Sequence, residues 1–492
     1  MEIIDKKGEF VLTKDRRFAV NGWNSRRKNS WMLFFHPSLH VADMYTKDKK
    51  EQIGWMLGYP VTPDKREFCP GEIVFNMDFE YLTPESLEEE LYRFGGRFAG
   101  VFLAGKFSRL YLDPTGSLSC VYSLNRPVIA STTALLDEAS PMRDEKFMKT
   151  FDEARSKSGA WYPCGLTEFK NVRILLPNHF LDLQHWKVVR HWPKQEMKRI
   201  GETKDVRKAV EEIGALIKDT ISIIAVKYPL HITLTAGMDS RMLLASSRGI
   251  TDRILFITEG EDVNPLDYAL SKNISKLFDL NHIVDSRFDP NRVILLGFGG
   301  ETGRGLYWEN DDKKADYLSV RDALEFLKYP AGNKDILEEI ENWLSELRGF
   351  DLFSVKDLMF IEQRLGSFSG QLMYSYDKRG GRFALYPMNQ RRMFELMLSL
   401  PVDYVKKSKL PEDICRIAWP ELLYIPFNAP HFVGGLKYKK LLKKEFDSLK
   451  RNPMLRSAEK SQIIARMATR GRSVLKVLLS DTANVMRKMF KA

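Results

Sequence analysis

Tyr228-Pro-Leu-His-Ile-Thr-Leu-Thr-Ala-Gly-Met-Asp-Ser-Arg-Met-Leu-Leu-Ala-Ser-Ser247 is the stretch whose reading decides the fold. Leu230, Ile232 and Leu234 alternate with His231 and Thr233, the period of a short strand, and Met242, Leu243 and Leu244 begin a helical pattern. The residues between them, Thr235-Ala-Gly-Met-Asp-Ser240, are therefore expected to form a strand-to-helix turn. Its small residues let backbone N–H groups approach an anion, its hydroxyls can donate to phosphate oxygens, and the following helix offers the positive end of its dipole. It is not a Walker loop, because the Gly-Lys-Ser/Thr ending is missing. The alternative is an ordinary βα turn with a glycine and an N-cap.

Working outward, Asp205 to Ile224 carries an apolar stripe at Val206, Val210, Ile213, Leu216, Ile217 and Ile221, the spacing of a helix that covers a sheet. Arg253 to Glu259 reads as a buried strand, Asp267 to Phe278 as a helix and His282 to Val284 as a further strand. Strands alternating with helices imply a parallel, doubly wound sheet, and such sheets bind ligands beyond the carboxyl ends of their strands. Before residue 193 the pattern changes to short β runs: Ser30–Phe35, Gly100–Ala104, Arg109–Leu112 and Leu118–Tyr122, with a charged helix at Pro84–Tyr92 and a strong turn at Asp113-Pro-Thr-Gly116.

Three ordered stretches resemble the asparagine synthetase group of ATP pyrophosphatases. Thr235 to Ser240 resembles that family's Ser-Gly-Gly-x-Asp-Ser pyrophosphate loop, with Thr and Ala at the first two positions. Val293-Ile-Leu-Leu-Gly-Phe-Gly-Gly-Glu-Thr-Gly-Arg-Gly-Leu-Tyr307 is similar to its second strand-loop, and Pro387-Met-Asn-Gln-Arg-Arg-Met-Phe-Glu-Leu-Met-Leu-Ser-Leu-Pro401 to the helix that closes Leu-Ser-Leu-Pro. More diffusely, Gly95–Phe102, Tyr111–Gly116, Val128–Leu136 and Phe169–Pro177 resemble the glutaminase-type sandwich that precedes the synthetase domain, ending near Arg190-His-Trp-Pro193.

The resemblance implies an α/β chain in four parts: a degenerate glutaminase-like (Ntn-like) αββα sandwich over 1–193, a linker over 194–205, a doubly wound PP-loop domain over 206–435, and a basic helical extension over 436–492. It implies ATP and magnesium as ligands. Thr235, Ala236, Gly237 and Ser240 would cradle the pyrophosphate, backbone near Leu234 and Ile257 would meet adenine, Gly297 would line the second loop, and Asp239 with Glu301 would hold the metal. Arg241 and Arg304 are candidates to bind the phosphates or the acceptor carboxylate. The chemistry would be adenylation of a carboxylate with release of pyrophosphate, followed by transfer to ammonia or another amine.

Three departures qualify this. A working glutaminase of this type needs a terminal cysteine nucleophile, and here Met1 is followed by Glu2, so glutamine hydrolysis is not expected. Phe298 stands where relatives carry a Glu or Tyr that helps deprotonate the amine; Glu362 or Asp377 would be the substitute base. The family's lysine over the pyrophosphate has no counterpart near Ile425–His431, leaving Lys437 and Lys439 as the nearest, with Lys437 the catalytic candidate. The rival reading is a nucleotide-binding pseudoenzyme acting as a scaffold or regulatory subunit. A third, a PP-loop enzyme acting on tRNA, is disfavoured by the first domain.

Composition sets outer limits. At 492 residues, with 44% hydrophobic and 29% charged side chains, the chain is expected to form more than one globular unit. No signal-like start or long apolar run is present, so a cytoplasmic location is expected. Four scattered cysteines argue against a zinc site or disulfide framework. Of the net charge of +11, the segment Lys437–Ala492 supplies sixteen Lys or Arg against four Asp or Glu. Within it, Leu475, Leu478, Thr482, Met486 and Met489 recur at helical spacing, so the tail would either pack on the synthetase domain or contact an anionic membrane or carrier. No nucleic-acid module is recognisable, and the expected partners are a small-molecule, peptide or sugar-acid carboxylate and an amine.

Overall fold

The computed structural model describes residues 6–49, 51–259, 265–307, 317–330, 333–425 and 427, and every structural statement below concerns these. They form a mixed α/β structure with two largely antiparallel sheets ahead of one parallel sheet.

The first sheet has the order Val172–Ile174, Val121–Ser123, Val128–Ala130, Phe10–Thr13, Trp31–Phe35, Asn24–Lys28. The second runs Lys187–Arg190, His179–Asp182, Phe107–Leu112, Gly95–Ala104, Gln52–Thr62, Val41–Tyr45, Glu72–Val74. Alternation along each strand decides which side chains go where. Phe10, Leu12, Trp31 and Leu33 of one sheet share a core with Trp55, Leu57, Val101 and Leu110 of the other, which makes the pair a sandwich. Met56, Phe98, Phe102 and Tyr111 point out of the opposite face and are covered by the helix Pro84–Leu91, opened by a Thr83–Ser86 capping box.

The segment after Arg190 is tied down: Ile200 N–H donates to Ser399 O at 2.7 Å and Arg199 Nη1 to Leu398 O at 2.6 Å. The helix Thr203–Lys227 follows, with Val206, Val210, Ile213, Ile217 and Ile221 buried as their spacing requires. It covers one face of the parallel sheet, whose order is His282–Asp285, Ile254–Glu259, Leu230–Thr233, Val293–Leu295, Ala384–Leu385. All four pairings are parallel. Ile257, Ile294, Leu296 and Ala384 face the other side and pack on Met373 and Tyr376 of the helix Gly366–Lys378. Helices thus cover both faces, and strand order reverses between Leu230–Thr233 and Val293–Leu295.

Between the fourth and fifth strands the chain builds a helical layer: Val320–Leu327, Lys334–Ser345, Leu352–Leu358 and a π-wound turn at Met359–Leu365 that runs directly into Gly366–Lys378. Among the described residues no helix is long and apolar enough to cross a membrane.

Candidate functional site

The two loops singled out in the sequence leave the two strands that flank the reversal of strand order, and they meet there. A Cβ added to Gly297 would lie 3.0 Å from Asp239 C and from Ser240 N, and one on Gly300 would lie 2.5 Å from Asp239 Oδ1 and 2.6 Å from Met242 Cε. The second loop therefore lies against the first turn of the helix Met238–Ser246, an approach only glycine permits.

Asp239 is the focus of the contact. Arg304 Nη2 donates to its Oδ2 at 2.7 Å, while Oδ1 is buried without a hydrogen-bond partner. Burial first, and the Glu301 charge second, push the Asp239 carboxyl up to about 7 against the pull of Arg304. Glu301 keeps its own place by accepting Gly299 N–H on Oε2 at 3.0 Å. Of the expected metal pair, Glu301 thus lies near enough for its charge to act on the Asp239 carboxyl, which Arg304 already holds. Among the described residues no three His, Cys, Asp or Glu side chains cluster as a metal site, so these carboxylates stand as a pair. Two carboxylates suit magnesium, which completes its shell with phosphate oxygens and water, and the orphaned Oδ1 is an acceptor still open to a cation.

The first loop is internally braced. Thr235 N–H donates to Ser240 Oγ (3.2 Å), Gly237 N–H to Thr235 Oγ1 (3.1 Å), and the two hydroxyls share a 2.9 Å hydrogen bond. Ala236 N–H is taken by a carboxylate oxygen, Asp267 Oδ1, at 2.7 Å. Only the Ala236 N–H of these three meets an anion, and that anion is Asp267 in the first turn of the helix Pro265–Phe278; the loop's own hydroxyls take the other two. Sequence reading placed Asp267 only as the start of a helix, since nothing local in its stretch points to a loop on another strand. Gly237, the N-cap of the helix Met238–Ser246, has no side-chain cap, so that helix terminus relies on other acceptors. Leu234 and Ile257 are fully buried and bonded to each other, Leu234 N–H donating to Ile257 O at 2.8 Å, so these two groups belong to the sheet ladder.

Several expectations need correcting. Glu362 is not a poised base. It is fully buried and accepts Arg190 Nη1 and Nη2 (2.6 and 2.8 Å), Asn178 Nδ2 (2.7 Å) and Trp343 Nε1 (2.7 Å). Burial opposes its ionisation, yet the Arg190 guanidinium and these donors hold it below the usual glutamate range. Asp377 is likewise committed, with Arg97 Nη1 at 2.7 Å on Oδ2 and Ala384 N–H at 2.9 Å on Oδ1. Arg241 points away from the loop: it is fully buried and donates to the carbonyls of Leu422 (3.2 Å) and Ile425 (2.6 Å), and burial pulls it down to about 10. Lys437, Lys439 and the basic extension 436–492 lie outside the described residues.

Phe298 packs edge-on against Tyr386, ring centroids 5.5 Å apart, and Phe368, 6.1 Å apart. The Tyr386 hydroxyl is buried, and burial raises its phenol against the pull of Ser369, with the Asp113 charge and then that of Glu301 acting in the same direction as burial. Sequence reading missed Tyr386 because it stands just before the Pro387 stretch, far along the chain from Phe298. All four thiols of the chain, Cys69, Cys120, Cys164 and Cys415, are pushed up by burial, so none is a ready nucleophile. Set against known proteins, the chain matches no family model and no curated protein.

Proposed function

We propose that the chain is an ATP-dependent, amide-forming ligase of the asparagine synthetase type, with a PP-loop domain behind a glutaminase-like sandwich that lacks glutaminase chemistry. The observation that carries this reading is the close approach of the loops bearing Asp239 and Glu301 at the reversal of strand order, where open parallel sheets bind their ligands. In the reaction, a carboxylate oxygen of the acid substrate attacks the α-phosphorus of ATP. The bond to the bridging oxygen breaks, and pyrophosphate leaves. An amine then attacks the acyl carbon, and AMP departs with the bonding electrons while the nitrogen gives up a proton.

Asp239 and Glu301 would hold a magnesium ion, whose charge would offset that gathering on the pyrophosphate. Arg304, on the same carboxylate, adds positive charge on that side. Thr235, Ala236, Gly237 and Ser240 shape the turn, and the start of the helix Met238–Ser246, which has no side-chain cap, would face the phosphates. Gly297 and Gly300 keep the loops in contact.

The test is magnesium–ATP binding to the full chain, followed with a fluorescent ATP analogue. Asp239→Ala and Glu301→Gln should each weaken it by about tenfold or more, equivalent to roughly 1.4 kcal/mol. A wild-type chain that takes up no nucleotide, or variants that bind like wild type, sinks the reading. A second reading, a nucleotide-binding scaffold without turnover, is favoured by the aromatic wall of Phe298, Phe368 and Tyr386 where a base is wanted, and by the Arg304 contact on Asp239. Exchange of labelled pyrophosphate into ATP in the presence of acid substrates separates them: the ligase exchanges and the scaffold only binds.

A further inference from the structure

Each of the first three N–H groups in the turn Thr235–Ser240 already has an acceptor. Thr235 N–H goes to Ser240 Oγ and Gly237 N–H to Thr235 Oγ1, and the two hydroxyls bond each other at 2.9 Å. These bonds close the turn upon itself, so its shape asks nothing of another element. Ala236 N–H alone is taken from outside, by Asp267 Oδ1 at 2.7 Å.

That acceptor is a charge without a counter-charge. Asp267 makes no ion pair with a Lys, Arg or His among the described residues. Its helix, Pro265–Phe278, is held by Leu270 and Ile274, both buried in the core on one face of the parallel sheet. The carboxylate can therefore leave the turn by side-chain rotation while the helix stays in place. A phosphate oxygen on the same N–H would stand within a few ångströms of the carboxylate, where like charges repel strongly in a partly buried site. The two acceptors exclude one another.

We propose that Asp267 is a specificity-determining residue of the nucleotide site, an internal stand-in for phosphate that a bare anion does not displace. The inference rests on the ligase reading for the identity of the incoming ligand. Free pyrophosphate offers the turn hydrogen bonds alone and must overcome the carboxylate to make them. Magnesium–ATP would bring further contacts, at Asp239 and Glu301, and these offset the displacement. Asp267 thus restricts an anion-binding turn to the metal–nucleotide complex.

Magnesium-free pyrophosphate, magnesium–ATP and adenosine are the probes, each titrated into the full chain by calorimetry. Asp267→Asn keeps an oxygen for the Ala236 N–H and removes only the charge. It should bind pyrophosphate about tenfold more tightly than wild type, magnesium–ATP several-fold more tightly, and adenosine no differently. Asp267→Ala should move pyrophosphate in the same direction. A mere brace for the turn behaves otherwise: pyrophosphate bound no more tightly by Asp267→Asn than by wild type, pyrophosphate weakened in Asp267→Ala, or adenosine tightened as much as pyrophosphate overturns the proposal. Magnesium–ATP taken up alike by wild type and both variants removes this inference and leaves the ligase reading. Variants that gain pyrophosphate in a chain that ignores magnesium–ATP leave the competing carboxylate standing and remove the ligase reading alone. A chain in which neither wild type nor variant binds any of the three loses both.

Discussion

Asp239 is a carboxyl whose surroundings favour the proton. Burial and the neighbouring Glu301 raise it to about 7, and a single ion pair with Arg304 does not reverse that. The native state then holds a proton that the unfolded chain releases from about pH 4 upward. Fewer protons bound in the unfolded state mean that stability falls as pH climbs from about 4 to about 7, and the fall is complete above that window. Asp239→Asn keeps an oxygen for Arg304 and has nothing to ionise. Its thermal midpoint in magnesium-free buffer should match wild type near pH 4 and exceed it by about 2–4 °C at pH 8, measured by circular dichroism. Coinciding melts at both pH values would remove the assignment of a strained carboxylate. Glu362 is the converse case, a carboxylate stabilised in its charged form by Arg190. Glu362→Ala leaves that guanidinium without its main partner and should cost about 3–5 kcal/mol in denaturant unfolding, with magnesium–ATP affinity unchanged in the folded fraction.

Among the elements, the apposed loops are the least forgiving. Gly297→Ala drives a methyl to 3.0 Å from two main-chain atoms of the facing helix turn, which has no side-chain freedom with which to yield. We expect a loss of about 1–3 kcal/mol and, because the loops must separate, a loss of magnesium–ATP binding well beyond what the stability change explains. A Gly297→Ala chain that binds nucleotide normally would show that the contact is not needed. Elements like these were legible in the chain wherever the signal is local. The apolar stripe of Val206, Val210, Ile213, Ile217 and Ile221 announces the helix Thr203–Lys227, and the alternation at Leu230–Thr233 announces the central strand. Legibility fails where partners are remote. Leu118–Tyr122 reads as a strand, yet pairing begins only at Val121, because Asp113 collects the N–H groups of Thr115, Ser117 and Leu118 into a turn. Gln52–Thr62, the longest strand, escapes notice because its nearly continuous apolar run, broken by two glycines and a proline, lacks alternation. Glu362 looked available as a base because Arg190, 172 positions earlier, cannot be seen from its neighbours.

At the scale of the whole molecule, the sandwich and the parallel-sheet unit are joined by polar groups that have no water to fall back on. Asn389 Nδ2 donates at 2.7 Å to both Gly96 O and Asp113 Oδ1, Gly96 N–H donates back to Asn389 O at 3.0 Å, and Arg391 reaches Asn178. Deepest is Arg97 with Asp377, 2.7 Å apart and essentially free of solvent, with Tyr374 under the guanidinium at 4.8 Å. A chain cut near residue 193 would expose all of these, so the two parts should unfold together in one denaturant transition rather than two. The ion pair tests that directly. Removing one partner strands a buried charge and costs about 3–5 kcal/mol, whereas replacing both with apolar side chains of similar size is near neutral or stabilising. Arg97→Met and Asp377→Leu should therefore each lower the midpoint of the single transition, and the double variant should recover most of the loss, a coupling that only groups in contact display. If instead the single variants split unfolding into two steps and the double variant fails to rejoin them, the pair is a seam between independently stable halves, and the amino-terminal sandwich would be a passenger beside the nucleotide loops rather than part of the body that holds them.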